Sequence, residues 1–237
     1  MGKVCRGRPS ALSPVPYQSR GTAVNARGGG GPVDLMWETE VRTLLGGGLV
    51  VYPTETFYAL GCLATLHASV ERVTASKGRP DGKPLPIIVS GWDMAARYLR
   101  MSGAALELAH AFWPGPLSII VPVDESVSPL ARDRHGRSAV RMSPHPVAAR
   151  LCLEVGAPLI SSSANMSGRP PVCRPMDLDP ELLRASGALV IETEPWPAGG
   201  QPSTLAEVVS GREVRILRQG AVSAASIEKA GFDVLTE

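Results

Sequence analysis

The chain is poor in the residues that most often announce a function. Among its 237 residues are three Phe, four Trp and four Tyr, and its four cysteines and four histidines are scattered. No two cysteines form a CxxC, and no His stands at ligand spacing from them, so a zinc or dithiol site is not expected. There is no GxxxxGKS, no GxSxG and no Ser-His-Asp order, which argues against P-loop phosphoryl transfer and triad hydrolysis. No apolar run reaches the ~18–20 residues that span a bilayer. The N-terminus is positive but lacks the apolar core of a secretory signal. Cys62 and Cys152 lie in apolar runs and are expected to be reduced core residues, which fits a cytoplasmic location.

Charge of one sign is also scarce. The net charge of +2 comes from the first 33 residues, which hold Lys3, Arg6, Arg8, Arg20 and Arg27 and no acid. Without these five, 19 basic residues face 22 acidic ones. Bulk charge therefore gives no support for a general nucleic-acid-binding surface. Glycine and proline, by contrast, are abundant at 25 and 22 residues, which predicts many tight turns. Residues 1–33 are Gly/Pro/Arg-rich without apolar periodicity and are expected to be a disordered tail. A basic arm touching RNA is the other reading of that tail. Residues 34–237 are expected to form one domain.

Asp34 is a candidate N-cap for a helix stopped by Gly46-Gly-Gly48. Leu49-Val-Val-Tyr52-Pro53 then reads as a buried strand ended by proline, followed by Thr54, Glu55 and Thr56 and a second apolar run to Gly61. Helices are expected at His67–Ser76, Trp92–Arg100, Gly103–Phe112, Pro146–Val155, Asp179–Ala185 and Ala224–Ala230. Strands are expected at Pro86–Ser90, Leu117–Val121, Ala139–Met142, Pro158–Ser162, Ala188–Ile191, Thr204–Val209 and Val214–Arg218. Residues 124–138 read as a mobile loop. This irregular alternation predicts an α/β fold: a twisted, open, mixed sheet flanked by helices.

Four polar clusters stand beside strand ends, where α/β sheets bind ligands. They are Thr54/Glu55/Thr56, Lys77/Arg79/Lys83, Arg137/Arg141 and Ser161/Ser162/Ser163/Asn165. A lysine and an arginine in a Gly/Pro-rich loop suit a polyphosphate, and equally suit a solvated charged loop. The serines and Asn165 could meet phosphate, ribose or base, or could cap a turn. Arg141 lies within an apolar strand, where an arginine needs a carboxylate or phosphate partner.

Taken in order, Val51-Tyr-Pro-Thr-Glu-Thr-Phe-Tyr-Ala-Leu-Gly61, Lys77-Gly-Arg-Pro80, Lys83-Pro-Leu85, Trp113-Pro-Gly-Pro-Leu117, Val140-Arg141, Ser162-Ser-Ala-Asn-Met-Ser-Gly168, Ser203-Thr204 and Leu217-Arg218-Gln-Gly220 resemble the YrdC-type threonylcarbamoyl-AMP synthases. The resemblance covers about residues 36–225. It implies an α/β fold with a large concave cavity. It also implies condensation of L-threonine, bicarbonate and ATP to threonylcarbamoyl-adenylate, with release of pyrophosphate. A separate transferase complex would then modify the adenosine beside the anticodon of tRNA, and contact with tRNA or double-stranded RNA is a further implication.

By the same resemblance Lys77 and Arg79 pair with Ser163 and Asn165 as the catalytic tetrad. Lys77, Arg79, Lys83, Ser163, Asn165 and Arg218 would hold ATP, and Thr56, Arg141 and Ser161 would hold threonine. Mg²⁺ would accompany ATP, with Glu55 as a candidate outer-sphere partner. There are departures from the family pattern. Ala59 stands for a common Gly, Pro170-Pro171 replaces a common hydroxyl, and Lys83 and Ile88 stand where some relatives have Asn and His. The length resembles the short form of the family. A non-catalytic RNA-binding module, or the same adenylate chemistry on another acceptor, remain alternatives.

Overall fold

The computed structural model describes residues 37–78 and 83–235. The expected tail, the Asp34 cap and Arg79 lie outside the described residues. Among the described residues eleven strands and seven α-helices follow in the order α1 Glu38–Leu45, β1 Val50–Pro53, β2 Tyr58–Gly61, α2 His67–Ser76, β3 Ile87–Val89, α3 Trp92–Tyr98, α4 Gly103–Phe112, β4 Leu117–Pro122, β5 Arg137–Met142, α5 Pro146–Val155, β6 Leu159–Ile160, β7 Ser162–Ser163, α6 Pro180–Ser186, β8 Leu189–Val190, β9 Thr204–Ser210, β10 Glu213–Arg218, α7 Ala224–Lys229 and β11 Asp233–Leu235.

The strands form two mixed sheets rather than one. A four-stranded sheet has the order β7-β2-β1-β8, and a seven-stranded sheet the order β11-β10-β9-β4-β5-β3-β6. The stretch read as one strand at Pro158–Ser162 is the place where the chain changes sheets. β6 pairs antiparallel with β3, Ser161 turns with its N–H on the Pro86 carbonyl at 2.8 Å, and β7 pairs with β2. No Gly or Pro marks that turn, so side-chain pattern alone could not locate it.

The Leu49–Gly61 stretch is a hairpin. β1 and β2 pair from Val50↔Gly61 to Pro53↔Tyr58, and all eight of their residues are buried. Thr54 closes the turn, donating from N at 3.2 Å and from Oγ1 at 2.7 Å to the Phe57 carbonyl. The hairpin lies hard against β6. A Cβ on Gly61 would sit 2.0 Å from the Ile160 carbonyl oxygen, whose other neighbour is the Tyr52 hydroxyl at 2.8 Å. Gly61→Ala is therefore expected to destabilise the fold by at least about 2 kcal/mol, read as a lower urea midpoint.

Residues 124–138 contain ordered turns rather than an unstructured loop. Residues Pro129–Ala131 form a 3-10 turn, and Asp133 Oδ1 accepts from the backbone of His135 and Arg137 at 2.8 and 2.9 Å. Arg137 also pairs with the Asp133 and Glu207 carboxylates. It thus leaves the predicted Arg137/Arg141 cluster; four residues along a strand is a separation of about 13 Å. Cys62 and Cys152 are buried and free, as expected. No helix among the described residues is long and apolar enough to cross a membrane.

Candidate active site

A cavity of about 420 Å³ opens where the two sheets meet, walled by residues of both. Its floor is a row across the seven-stranded sheet. Leu205 on β9 pairs with Arg218 on β10 and Ser118 on β4. Arg141 on β5, one residue past the Ile119–Val140 pair, continues the row, with Ile88 of β3 beside it. The opposite wall comes from the β1–β2 hairpin, with Thr54, Thr56 and Tyr58, and from Ser161–Asn165. The sheet crossing thus delivers the serine-rich segment to the cavity. Six residues predicted for the site line it together: Thr56, Arg141, Ser161, Ser163, Asn165 and Arg218.

Arg141 is buried, and its Nε lies 2.8 Å from Glu55 Oε1. Neither atom makes an aligned hydrogen bond, so this is a charge contact with the N–H directed off the oxygen. Nη2 donates to Ser161 Oγ at 3.3 Å. The other Glu55 oxygen accepts from the Ser143 hydroxyl. Glu55 is not among the cavity walls, and its two oxygens are turned to Arg141 and Ser143. Both carboxylate oxygens of Glu55 are thus engaged by protein partners. Its partners stand on β5 and just beyond, far away in sequence, which is why local reading missed them.

Arg218 holds the Ser203 carbonyl through Nη2 at 2.8 Å and Nε at 3.2 Å, and the Ser203 hydroxyl through Nη2 at 3.1 Å. Ser203 in turn meets the Ser118 hydroxyl at 3.1 Å. Burial, then the positive charge of Arg141, pulls the Arg218 pKa below its ordinary value. Two guanidiniums therefore act on one cavity and feel each other. Gly220 permits the chain to close here, since a Cβ would lie 2.2 Å from the Pro202 carbonyl oxygen.

Lys77 is buried, with its ammonium on the backbone carbonyls of Ser163 and, at 2.8 Å, Asn165. It stands behind the serine segment and is not one of the cavity walls. Asn165 spends both amide hydrogens on carbonyls, of Met166 at 3.0 Å and Arg169 at 2.6 Å. Its Oδ1 is buried with no partner. Lys83 is exposed and does not line the cavity. Sequence reading missed Ser118 as a site residue; its signal is a lone hydroxyl within the apolar run Leu117–Val121. Arg169 at the rim, paired with Asp179 and Glu181, was also missed.

His145 lies behind the Glu55–Ser143 contact. Its Nε2 is 2.8 Å from the Pro195 carbonyl, and a carbonyl only accepts, so Nε2 carries the proton. Nδ1 is buried without a partner. Burial pushes the His145 pKa below its ordinary 6.5. The unfolded chain therefore takes up this proton first as pH falls, and stability is lost as pH drops below about 6.5. His145→Gln is expected to reduce the loss of melting temperature between about pH 7 and pH 5, above the carboxylate range. An unchanged slope would contradict this.

Cys62 and Cys152 are fully buried, and burial pushes their thiols up to about 12, which disfavours the thiolate. No described wall residue is a carboxylate, and no group of three or more His, Cys, Asp or Glu suited to a metal occurs among the described residues. The fold sets two guanidiniums and several hydroxyls around one cavity between two sheets, a lining whose chemistry suits an anionic ligand.

The chain belongs to the Sua5–YciO–YrdC family: the family model, described as telomere recombination, matches residues 42–220. The threonylcarbamoyl-AMP synthase of Stenotrophomonas maltophilia is 36% identical over 188 residues, covering 77% of this chain and 98% of that protein. The threonylcarbamoyl-AMP synthase of Xanthomonas euvesicatoria is 38% identical over 180 residues, covering 74% and 94%. The crystal structure of P. abyssi Sua5 complexed with L-threonine superposes with a TM-score of 0.72 at 27% identity. That match covers 83% of this chain and 58% of the other, so this chain spans less than two thirds of that protein.

Proposed function

We propose that this chain condenses L-threonine, bicarbonate and ATP into threonylcarbamoyl-adenylate and pyrophosphate. The observation that carries the reading is the pair Arg141 and Arg218, set with serine hydroxyls around one cavity in a chain similar to proteins named for that product. Threonine's carboxylate would meet Arg141, with Ser161 and Thr56 nearby for its amine and hydroxyl. The amine adds to bicarbonate to give the carbamate, and water leaves. A carbamate oxygen then attacks the α-phosphorus of ATP, and pyrophosphate departs. No enzyme nucleophile is required, and catalysis is by orientation and charge stabilisation.

Arg218 and Arg79 would hold phosphates, with Ser163 donating to the α-phosphate. Lys77 would act by fixing the Ser163–Asn165 segment. Asn165 offers an acceptor, Oδ1, and so suits a ribose hydroxyl better than a phosphate oxygen. Lys83 would act only at the outer end of the polyphosphate. Mg²⁺ would enter as the companion of ATP. The adenylate would be passed in the cytoplasm to a transferase that modifies tRNA, and residues 34–237 would constitute the catalytic domain.

The test is incubation with ATP, L-threonine and bicarbonate, reading pyrophosphate and the adenylate by mass spectrometry. Product that requires all three substrates supports the reading. Turnover independent of threonine, or salt-sensitive RNA binding without turnover, would overturn it.

A further inference from the structure

We infer that Glu55 is the positioning residue for Arg141, and that by neutralising it Glu55 reserves Arg141 for the amino-acid carboxylate and leaves the nucleotide phosphates to Arg218. The inference rests on the function proposed above and adds a division of labour between the two arginines.

Glu55 lies in the β1–β2 turn and Arg141 on β5, so the pair joins the two sheets across the cavity's edge. Side-chain exposure is 12% for Glu55 and 7% for Arg141. Ion pairs this buried stabilise a fold little, because desolvation offsets their attraction, but they can fix a geometry. The contact is on Nε, the inner edge of the guanidinium. Ser161 touches Nη2. A carboxylate can meet either the Nε/Nη2 edge or the Nη1/Nη2 edge of a guanidinium with two parallel hydrogen bonds, and with Nε facing Glu55 the Nη1/Nη2 edge is the one left. Glu55 thus grips the arginine from behind and leaves its recognition edge to the cavity that Arg141 lines.

Glu55 is itself held in place. Its second oxygen accepts from Ser143 Oγ, and that oxygen accepts from the His145 backbone N–H at 3.2 Å. The carboxylate is therefore neither a base nor a ligand facing substrate. Its charge still matters to the cavity. Arg141 with Glu55 sums to zero, whereas the contacts of Arg218 on Ser203 are with neutral groups. A polyanion entering the cavity is drawn to Arg218. A single carboxylate can still use the directional edge of Arg141.

Removing the Glu55 charge should break both effects. In Glu55→Gln, Arg141 would be freer to rotate and carry an uncompensated charge. The threonine KM should rise by roughly ten- to a hundredfold, the scale of a small misplacement of a positioning group, while kcat at saturating threonine changes much less. ATP and pyrophosphate at high concentration should become competitive with threonine, whereas no such competition is expected in the wild type. Glu55→Asp should restore part of the threonine KM, and Ser143→Ala should shift it in the same direction as Glu55→Gln by a smaller factor.

The experiment is steady-state pyrophosphate release at varied threonine and varied ATP, on the full chain, for the wild type and these three variants. Melting temperatures are recorded alongside. A threonine-specific KM rise with new competition by ATP, or in a poorly folding Glu55→Gln the smaller shift in Ser143→Ala, supports the inference. A wild-type threonine KM in Glu55→Gln, or a parallel fall in kcat with no change in competition, overturns it and leaves the proposed function standing. A wild type with no threonine-dependent release overturns the proposed function and this inference with it.

Discussion

Arg141→Ala is expected to lower kcat/KM for threonine by about 10²–10⁴-fold. Two charge-assisted hydrogen bonds to a carboxylate, at ~1.5–3 kcal/mol each, give that range. The same change strands a carboxylate. Glu55 lies against Arg141 with its side chain 12% exposed, and removing one partner of such a pair costs about 3–5 kcal/mol of stability. Loss of activity alone would thus be ambiguous. Adding Glu55→Ala to Arg141→Ala removes the stranded charge. The double variant should regain much of the melting temperature and none of the threonine dependence. Recovery of threonine turnover in the double variant would show that Arg141 acts only through folding.

Lys77→Ala should have an effect of similar size by a different route. The ammonium holds the carbonyls of Ser163 and Asn165. The Ser163 carbonyl keeps the Asn165 N–H at 2.9 Å, but the Asn165 carbonyl loses the donor that held it, which costs ~1–3 kcal/mol. The segment these contacts hold supplies Ser161, Ser163 and Asn165 to the cavity. Loosening it should displace donors from the reacting phosphate, and a displacement near 1 Å can cost about 10²-fold in rate. Pyrophosphate release should fall at least that far, and amide exchange across residues 161–168 should quicken. Turnover within threefold of wild type would contradict the assignment. A rate loss without faster exchange would point to direct phosphate contact by Lys77 instead.

The parts of the fold most legible in the sequence were those with local punctuation. The helix Pro146–Val155 has proline in its first turn and Gly156 at a φ of 65° after its end, and both ends fall where expected. The helices His67–Ser76 and Gly103–Phe112 also match. The change of sheet at Ser161 was hidden because serines in an extended run look alike on either side of it. The strand Asp233–Leu235 was not foreseen: three residues carry too little alternation to read, and it forms by parallel pairing with β10.

The site shows the same contrast. Thr56, Arg141, Ser161, Ser163, Asn165 and Arg218 were nameable from motifs, and they line one cavity. Their hydrogen bonds were not legible. Asn165 offers an acceptor because both its amide hydrogens are spent on nearby carbonyls. Glu55 serves an arginine on the other sheet. Such roles depend on which backbone groups fold leaves unpaired, and side-chain identity does not record that.

The central claim is that this one cavity brings the amino acid and the nucleotide together. A crystal structure with L-threonine and a non-hydrolysable ATP analogue tests it most directly. The account predicts the threonine carboxylate on the Nη1/Nη2 edge of Arg141, the phosphates beside Arg218 and Ser163, and a ribose hydroxyl at Asn165 Oδ1. Phosphates seated on Arg141, or either ligand bound outside this cavity, would contradict it.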